Sequence, residues 1–543
     1  MSIILSGVFF GYYNQQPLFE NINLSVRSGS KVSVVGNNGT GKSTLLKLIA
    51  GELNVFEGSI RCSSTPYYIP QQIGINGMTV SQALNVSDKI EAFHAICNGS
   101  DKYEYYDILS DDWDIESRCR AALDAWGLSG VGMDASIDSL SGGEKTKLFL
   151  AGISIHNPSV IILDEPTNHL DHTSRQKLYE LISNSNATTM IVSHDITLLN
   201  LLDETYELSS RRITLYGGNY DFYKTRKEEE QQALNQQIDA EEAALRSARK
   251  KAQEVNERQD KRSRQGEKNK NQGPRIARQF LKNSGENTEA KLKDKHAEII
   301  SQKCQRLNDL RQKQNMTCEL KLNFDNALLH NGKILVSARS VNFKYGEKEF
   351  LWQNVLDFEI RSGERIHLKG DNGTGKTTLL RLLTGELLPS VGEVIRSDFS
   401  FIYLDQEYSK VKTPKTLLEL AQEYNSHNLP DHELKLRLHR ALFTKDMWDR
   451  SCHVLSGGER MRLYLCCLMI SNHIPDLIIL DEPTNNLDLS GINILTSTIK
   501  NYTGTLLVIS HDNRFVEEIG ITNIMDLNIY YNPFVLMKKI GRI

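Results

Sequence analysis

Apolar residues along this chain recur with three different periods, and the order of those periods is the first thing the sequence discloses. Short unbroken runs such as Val160-Ile161-Ile162-Leu163, Met190-Ile191-Val192, Leu477-Ile478-Ile479-Leu480 and Val508-Ile509 are the signature of strands buried on both faces of a parallel sheet. Helical spacing follows in Leu45, Leu46, Leu48 and Ile49, and again in Leu379, Leu380, Leu382 and Leu383. Residues 79 to 130 carry apolar helical faces through Leu84, Ile90, Phe93, Ile96, Leu109, Trp113, Ile115, Leu123 and Trp126. The third period belongs to the middle of the chain. Ile238, Leu245, Ala248, Ala252 and Val255 step by seven, three, four and three, which is a coiled-coil seam, and Leu292, Ile299, Leu307 and Leu310 supply a looser returning one. The pattern predicts two α/β domains, 1–223 and 331–543, joined over 224–330 by a charged helical hairpin of about 50 Å, from some thirty-five residues at 1.5 Å each. A breaker-rich stretch, Gly266 to Gly285 with Gly273-Pro274, is expected to turn that hairpin.

Composition narrows this picture only where it is uneven. The chain has 543 residues and a net charge of -4, with a basic middle between acidic halves. No apolar run is long enough to span a bilayer, and the N-terminus has no basic segment followed by a cleavage site, so a cytoplasmic location is expected. Eight cysteines form no C-x-x-C pair, which argues against disulfides and zinc.

Two octads carry the chemistry. Gly36-Asn37-Asn38-Gly39-Thr40-Gly41-Lys42-Ser43 and Gly370-Asp371-Asn372-Gly373-Thr374-Gly375-Lys376-Thr377 both fit G-x-x-x-x-G-K-[ST], each between a strand and a helix. Their glycines let backbone N–H groups converge on phosphate, the helix adds its positive end, the lysine reaches outer phosphates, and Ser43 or Thr377 offers a hydroxyl to Mg²⁺. Thr44 and Thr378 follow at the helix start and are counted with the cradle.

The same further motifs trail each octad in the same order. An aromatic near the start of each half, Tyr13 with Tyr12 close behind and Tyr345 in the second, is a candidate to stack on adenine. Gln71 and Gln406 end a strand and are expected to hold Mg²⁺ or water. Ser141-Gly142-Gly143 and Ser456-Gly457-Gly458 open onto helices and form a second anion-binding surface, which points to a partner domain. Asp164 and Asp481 leave buried strands at the edge where such sheets bind ligands, placed to hold Mg²⁺ through water. Glu165 and Glu482 are the expected general bases, and His194 and His511 are expected near the γ-phosphate or the attacking water.

The linker adds a charge argument. Arg246, Arg249, Lys250, Lys251, Arg258, Lys261, Arg262, Arg264, Lys268, Lys270, Arg275, Arg278 and Lys282 face only Glu254, Glu257, Asp260 and Glu267, and such an excess at the end of a rod suits an RNA backbone.

Together these motifs resemble the ATP-binding cassette superfamily, and its ABC-F branch in particular: two cassettes, no membrane domain and a charged helical linker. The resemblance implies two P-loop NTPase domains paired head to tail within a monomer, each ATP held with Mg²⁺ between one octad and the other half's Ser-Gly-Gly turn. It implies an ATPase whose partner is the ribosome, with the linker directed at rRNA and the P-site tRNA, acting as a translation factor or in ribosome-protection antibiotic resistance; DNA is not expected. The alternative is the ATP-binding subunit of a transporter with a separate membrane partner, which leaves the basic rod unused. Some residues depart from the family pattern: Glu144 and Glu459 where glutamine is common, Asn486 where the first half has His169, and a polar strand through His367 and Lys369. The first half also carries about twenty extra residues near 96–116, acidic and rich in tyrosine, and some thirty residues follow His511, so no further C-terminal domain is expected.

Overall fold

The computed structural model describes the chain except for residues 14–16, 72–76, 210–211, 269–294, 296, 312–331, 348, 372, 407, 472–474, 486 and 531–543. Asn372, Asn486, Leu292 and the basic residues Lys270, Arg275, Arg278 and Lys282 therefore lie outside the described residues. The chain divides into two compact units: Met1–Tyr220 together with Cys318–Ile543, and Asp221–Thr317.

Each half of the first unit is built on a mixed or parallel sheet. In the first half six strands run in the order Tyr67–Ile69, Val160–Asp164, Thr188–Val192, Lys31–Val35, Glu204–Leu208 and Ile213–Tyr216, with only the last pair antiparallel. The second half repeats this with five strands, Phe401–Leu404, Leu477–Asp481, Thr505–Ile509, Arg365–Lys369 and Asn523–Asp526, all parallel. Every residue of Val160–Asp164 and Thr188–Val192 is buried, which is why these strands read as unbroken apolar runs. Because parallel neighbours end on one edge, the octad, the Asp-Glu pair and the histidine emerge together.

A three-stranded antiparallel sheet packs on each half: Phe19–Val26, Ile3–Phe10 and Glu57–Cys62, then Leu356–Arg361, Ile334–Asn342 and Val391–Arg396. Between it and the parallel sheet lies a core of Ile3, Phe19, Leu45, Leu46, Val160 and Val192, matched in the second half by Leu335, Trp352, Leu379, Leu380 and Leu507. A separate core in the second half joins the sheet's other face to helices Leu417–Glu423, Asp431–Arg440, Gly457–Ser471 and Leu489–Asn501. The polarity of the strand before the second octad has a simple reason. His367 is buried with its Nε2 3.1 Å from the Ser510 carbonyl, while Lys369 is exposed.

The second unit contains a helix, Tyr220–Lys268, of 49 residues. At 1.5 Å per residue it is about 73 Å long, well beyond the expected 50 Å rod. Residues 297–311 form a second helical run. Ile238, Leu245 and Leu307 bury one seam with Leu234, Ile300, Cys304 and Leu310 against it. Ile299 is 46 % exposed, so the returning seam passes through Ile300, one residue later than the sequence spacing suggests. Lys303 and Arg306 pair with Glu241 at 3.2 Å and Arg311 with Glu242 at 2.5 Å; seven residues on, Arg249 reaches Cys304 Sγ, seven residues before Arg311, at 3.9 Å, so the two runs are antiparallel neighbours.

Candidate active site

The two octads have nearly superimposable hydrogen bonding. Lys42 Nζ donates to the carbonyls of Gly36 (2.8 Å) and Asn37 (3.1 Å), and Lys376 Nζ to those of Gly370 (2.6 Å) and Asp371 (3.1 Å). Thr40 and Thr374 tie each loop through their hydroxyls to Asn37 and Asp371. Gly41 (φ 92°) and Gly375 (φ 96°) precede helices Lys42–Ala50 and Lys376–Thr384 in the left-handed region, and a Cβ there would strike Leu18 and Phe19, or Leu351. Burial lowers the pKa of both lysines against the pull of the carboxylates below them.

Those carboxylates stand at the strand ends. The Ser43 hydroxyl lies near Asp164 and favours its charged form, whereas Asp481 accepts from Tyr403 at 2.8 Å. Tyr68, the counterpart of Tyr403, is half-buried near Asp164, and its buried hydroxyl has no hydrogen-bond partner among the described residues. Glu165 and Glu482 sit at φ 52° and 48°, their N–H groups bonded to Val192 (2.8 Å) and Ile509 (2.9 Å) carbonyls. A left-handed glutamate costs on the order of 1 kcal/mol or more and persists because its surroundings over-determine it. Each accepts a backbone N–H from its histidine through Oε2, His194 at 3.2 Å and His511 at 3.3 Å, and meets that ring's Nε2 through Oε1 at 3.2 Å.

Electrostatics leave both imidazoles uncharged near pH 7, with Glu165 mostly protonated and Glu482 about half ionised. Burial, then Asp164, raises Glu165 to about 8, and burial raises Glu482 to about 7. Burial likewise lowers both His194 and His511 to about 3. The 3.2 Å contact is thus between an uncharged imidazole and a carboxyl poised to ionise. Among the described residues Asp164 Oδ1 and His194 Nδ1 are buried without a hydrogen-bond partner, and Oε1 of Glu165 and of Glu482 has its histidine ring at 3.2 Å but outside hydrogen-bonding geometry. Buried oxygens left open beside a serine hydroxyl and a lysine suit a hydrated Mg²⁺ and a water, a hard-oxygen set contributing few protein ligands.

Ser141 and Ser456 cap helices Gly142–His156 and Gly457–Ser471, and here the two glutamates acquire a role. Glu144 Oε2 accepts from Ser141 N (2.8 Å) and Oγ (2.7 Å), and Glu459 does the same for Ser456. Each makes a capping box, so both serine hydroxyls are engaged locally. A Cβ on Gly143 would lie 2.6 Å from the His169 carbonyl, so the turn packs directly on the segment leading to Asp171. Asp171 bonds Lys147 at 3.1 Å and acts electrostatically on Lys376, while Asp488 acts on Lys42. Each half thus brings an aspartate to the other half's octad lysine. Sequence reading missed this pair, although both close the Asp-Glu-Pro-Thr-Asn stretches.

The aromatics sort by their contacts. Tyr345 donates to or accepts from Thr378 Oγ1 at 2.8 Å, and its first-half equivalent is Tyr12, which meets Thr44 Oγ1 at 3.0 Å. Phe10 and Phe343 stack edge-on against Tyr12 and Tyr345, fixing the correspondence. Tyr13 stands away, 91 % exposed. Gln71 is exposed after its strand and Gln406 half-buried after its own.

Comparison with known proteins agrees with this duplicated geometry. The ABC transporter family model matches residues 19–168 and 353–485, about half of the chain. The ATP-binding protein Uup of Caulobacter vibrioides is 30 % identical over 94 % of this chain and 74 % of its own length. The ribosome protection protein VmlR of Bacillus subtilis is 28 % identical over 93 % and 83 %, and ABC transporter F family member 5 of Arabidopsis thaliana 27 % over 93 % and 72 %. A solved structure of the RNase-L inhibitor shares the fold at a TM-score of 0.57, with 20 % identity over 96 % of this chain and 87 % of that one. Among the described residues no helix is long and apolar enough to cross a membrane. With two matched cassettes on one chain and relatives that align along nearly all of it, the protein belongs to the ATP-binding cassette family as a tandem-cassette ATPase of the ABC-F type.

Proposed function

We propose that the cassettes close on two Mg-ATP, that the closed form binds the ribosome through the basic linker and contacts rRNA and the P-site tRNA, and that hydrolysis releases it. The observation that carries this reading is the crossed placement of Asp171 and Asp488, each acting on the lysine of the opposite octad. A nucleotide gripped on both sides favours the closed form by its extra contacts there.

In this reading Lys42 and Lys376 exchange their loop carbonyls for phosphate oxygens. Ser43, Asp164 and Gln71, with Thr377, Asp481 and Gln406 in the second site, hold Mg²⁺ directly or through water. The ion supplies charge neutralisation on the phosphates. Glu165 and Glu482 accept the proton of the attacking water, and His194 and His511 hold those carboxyls in line. Tyr12 and Tyr345 stack on adenine. The Ser-Gly-Gly turns meet the γ-phosphate from the opposite cassette. VmlR, by its name a ribosome protection protein, and the linker's thirteen cations against four anions support a ribosomal partner. A cytoplasmic setting goes with that partner.

Sucrose-gradient sedimentation of the Glu165→Gln/Glu482→Gln double variant tests the reading. It should co-sediment with ribosomes in ATP and separate from them in ADP. Association with membranes instead, or sedimentation indifferent to nucleotide, would overturn it.

A further inference from the structure

Arg175 lies one turn into helix His172–Asn184, directly behind Asp171, and is 8 % exposed. Its Nε donates to the Leu170 carbonyl at 3.2 Å, and its Nη1 reaches the carbonyl of His511, in the other cassette, at 3.4 Å. The same Nη1 is 3.8 Å from Asp195 Oδ2, which also accepts from Tyr179 at 2.5 Å. Asp195 and Asp512, the residues after the two histidines, are close enough to repel each other, and Arg175 opposes that repulsion. A guanidinium here meets a demand a single point charge would not, since its fork serves a backbone carbonyl and a carboxylate together.

The second cassette has no such group. Counting from Asp488 as from Asp171, the place of Arg175 falls to Ile492, which is 6 % exposed, and that of Tyr179 to Thr496. The cross-cassette bond therefore runs one way, from the first cassette's helix to the loop that carries His511. His511 in turn meets Glu482 through both its backbone N–H and its ring.

We infer that Arg175 is a positioning residue for the second site: it fixes the His511 loop from across the cassette interface, so turnover at the Lys376 site depends on it far more than turnover at the Lys42 site, where its reach to Asp195 is 3.8 Å and Tyr179 holds that carboxylate more closely. The inference rests on Glu165 and Glu482 being the general bases of their respective sites.

Single-site backgrounds separate the two. Glu165→Gln leaves the second site to hydrolyse and Glu482→Gln the first, while the double variant, which should be inactive, tests the base assignment by itself. Arg175→Met, similar in length but without donor or charge, should lower kcat roughly tenfold in the Glu165→Gln background with KM for ATP little changed, the scale expected when a reacting group is held loosely. In the Glu482→Gln background the same change should stay within about twofold. Arg175→Lys should recover part of the loss, and it also reads the effect should the methionine variant fold poorly. Equal losses in both backgrounds, or none in either, overturn the inference; activity surviving in the double variant overturns the base assignment instead.

Discussion

Glu165 has its carboxyl pushed to about 8 and Glu482 to about 7, and the cause in both is burial. A general base works only when ionised, so activity must climb as pH rises through the folded value. Glu482→Gln, which keeps Glu165, should show kcat/KM rising through about pH 8, and Glu165→Gln should show it rising through about pH 7. The same shift has a stability sign. A carboxyl that holds its proton more tightly when folded loses folding energy as pH rises from its ordinary 4.5 toward 8. Glutamine removes that loss, so the melting point of Glu165→Gln should exceed the parent's by more at pH 8 than at pH 5, in a nucleotide-free melt. Coincident melting differences at both pH values would contradict the burial argument. These glutamates were legible in the sequence because a strand of four apolar residues delivers the acid pair that follows it to the ligand-binding edge of a parallel sheet. Which first-half tyrosine corresponds to Tyr345 was not, since Tyr12 and Tyr13 are adjacent and only the contact with Phe10 chooses between them. Base stacking is worth about 1–3 kcal/mol, so Tyr12→Ala should raise the first site's Kd for ATP roughly tenfold, read by fluorescent-nucleotide titration, and Tyr13→Ala should leave it unchanged.

At the scale of elements, the strand, octad and helix order was readable because each element buries a continuous face within a few residues of chain. A seam between two helices is less well determined, because a 3.6-residue turn drifts against a seven-residue repeat and one residue of phase is easily lost. Ile299 and Ile300 show the consequence: both are apolar, yet only the second packs against Ile238, Leu245 and Leu307. Ile300→Asp should therefore weaken the helix pair by about 2–3 kcal/mol, a buried apolar side chain being replaced by a charge without a partner, and Ile299→Asp should change it by less than about 0.5 kcal/mol. Circular dichroism melting of the full chain, followed at the helical band, distinguishes the two; equal shifts would show that the pair slips in register. Arg175 was beyond sequence reading for another reason. Its partner His511 is 336 positions away, and the one signal available was the unmatched isoleucine at 492.

For the whole molecule, the duplicated sites and the charged rod have to be connected by a measurable quantity, and salt dependence provides it. If the linker binds RNA by displacing counterions, the logarithm of affinity falls linearly with the logarithm of salt, and each lost phosphate contact removes about 0.7–0.9 from that slope. Lys250, Lys251, Arg258 and Lys261 are exposed on the long helix and lie outside both cassettes. Replacing all four with glutamine in the double glutamine background should weaken ribosome binding and flatten its salt dependence by up to about 3 units of slope, while ATP binding at the cassettes stays at its parental level. Nonspecific charge attraction would leave binding equally strong in ATP and in ADP at each salt concentration, whereas a rod presented only by the closed cassettes binds tightly in ATP alone. A weakened complex with an unaltered slope would mean that the linker is recognised by shape, and that the phosphate contacts are made by the cassettes themselves.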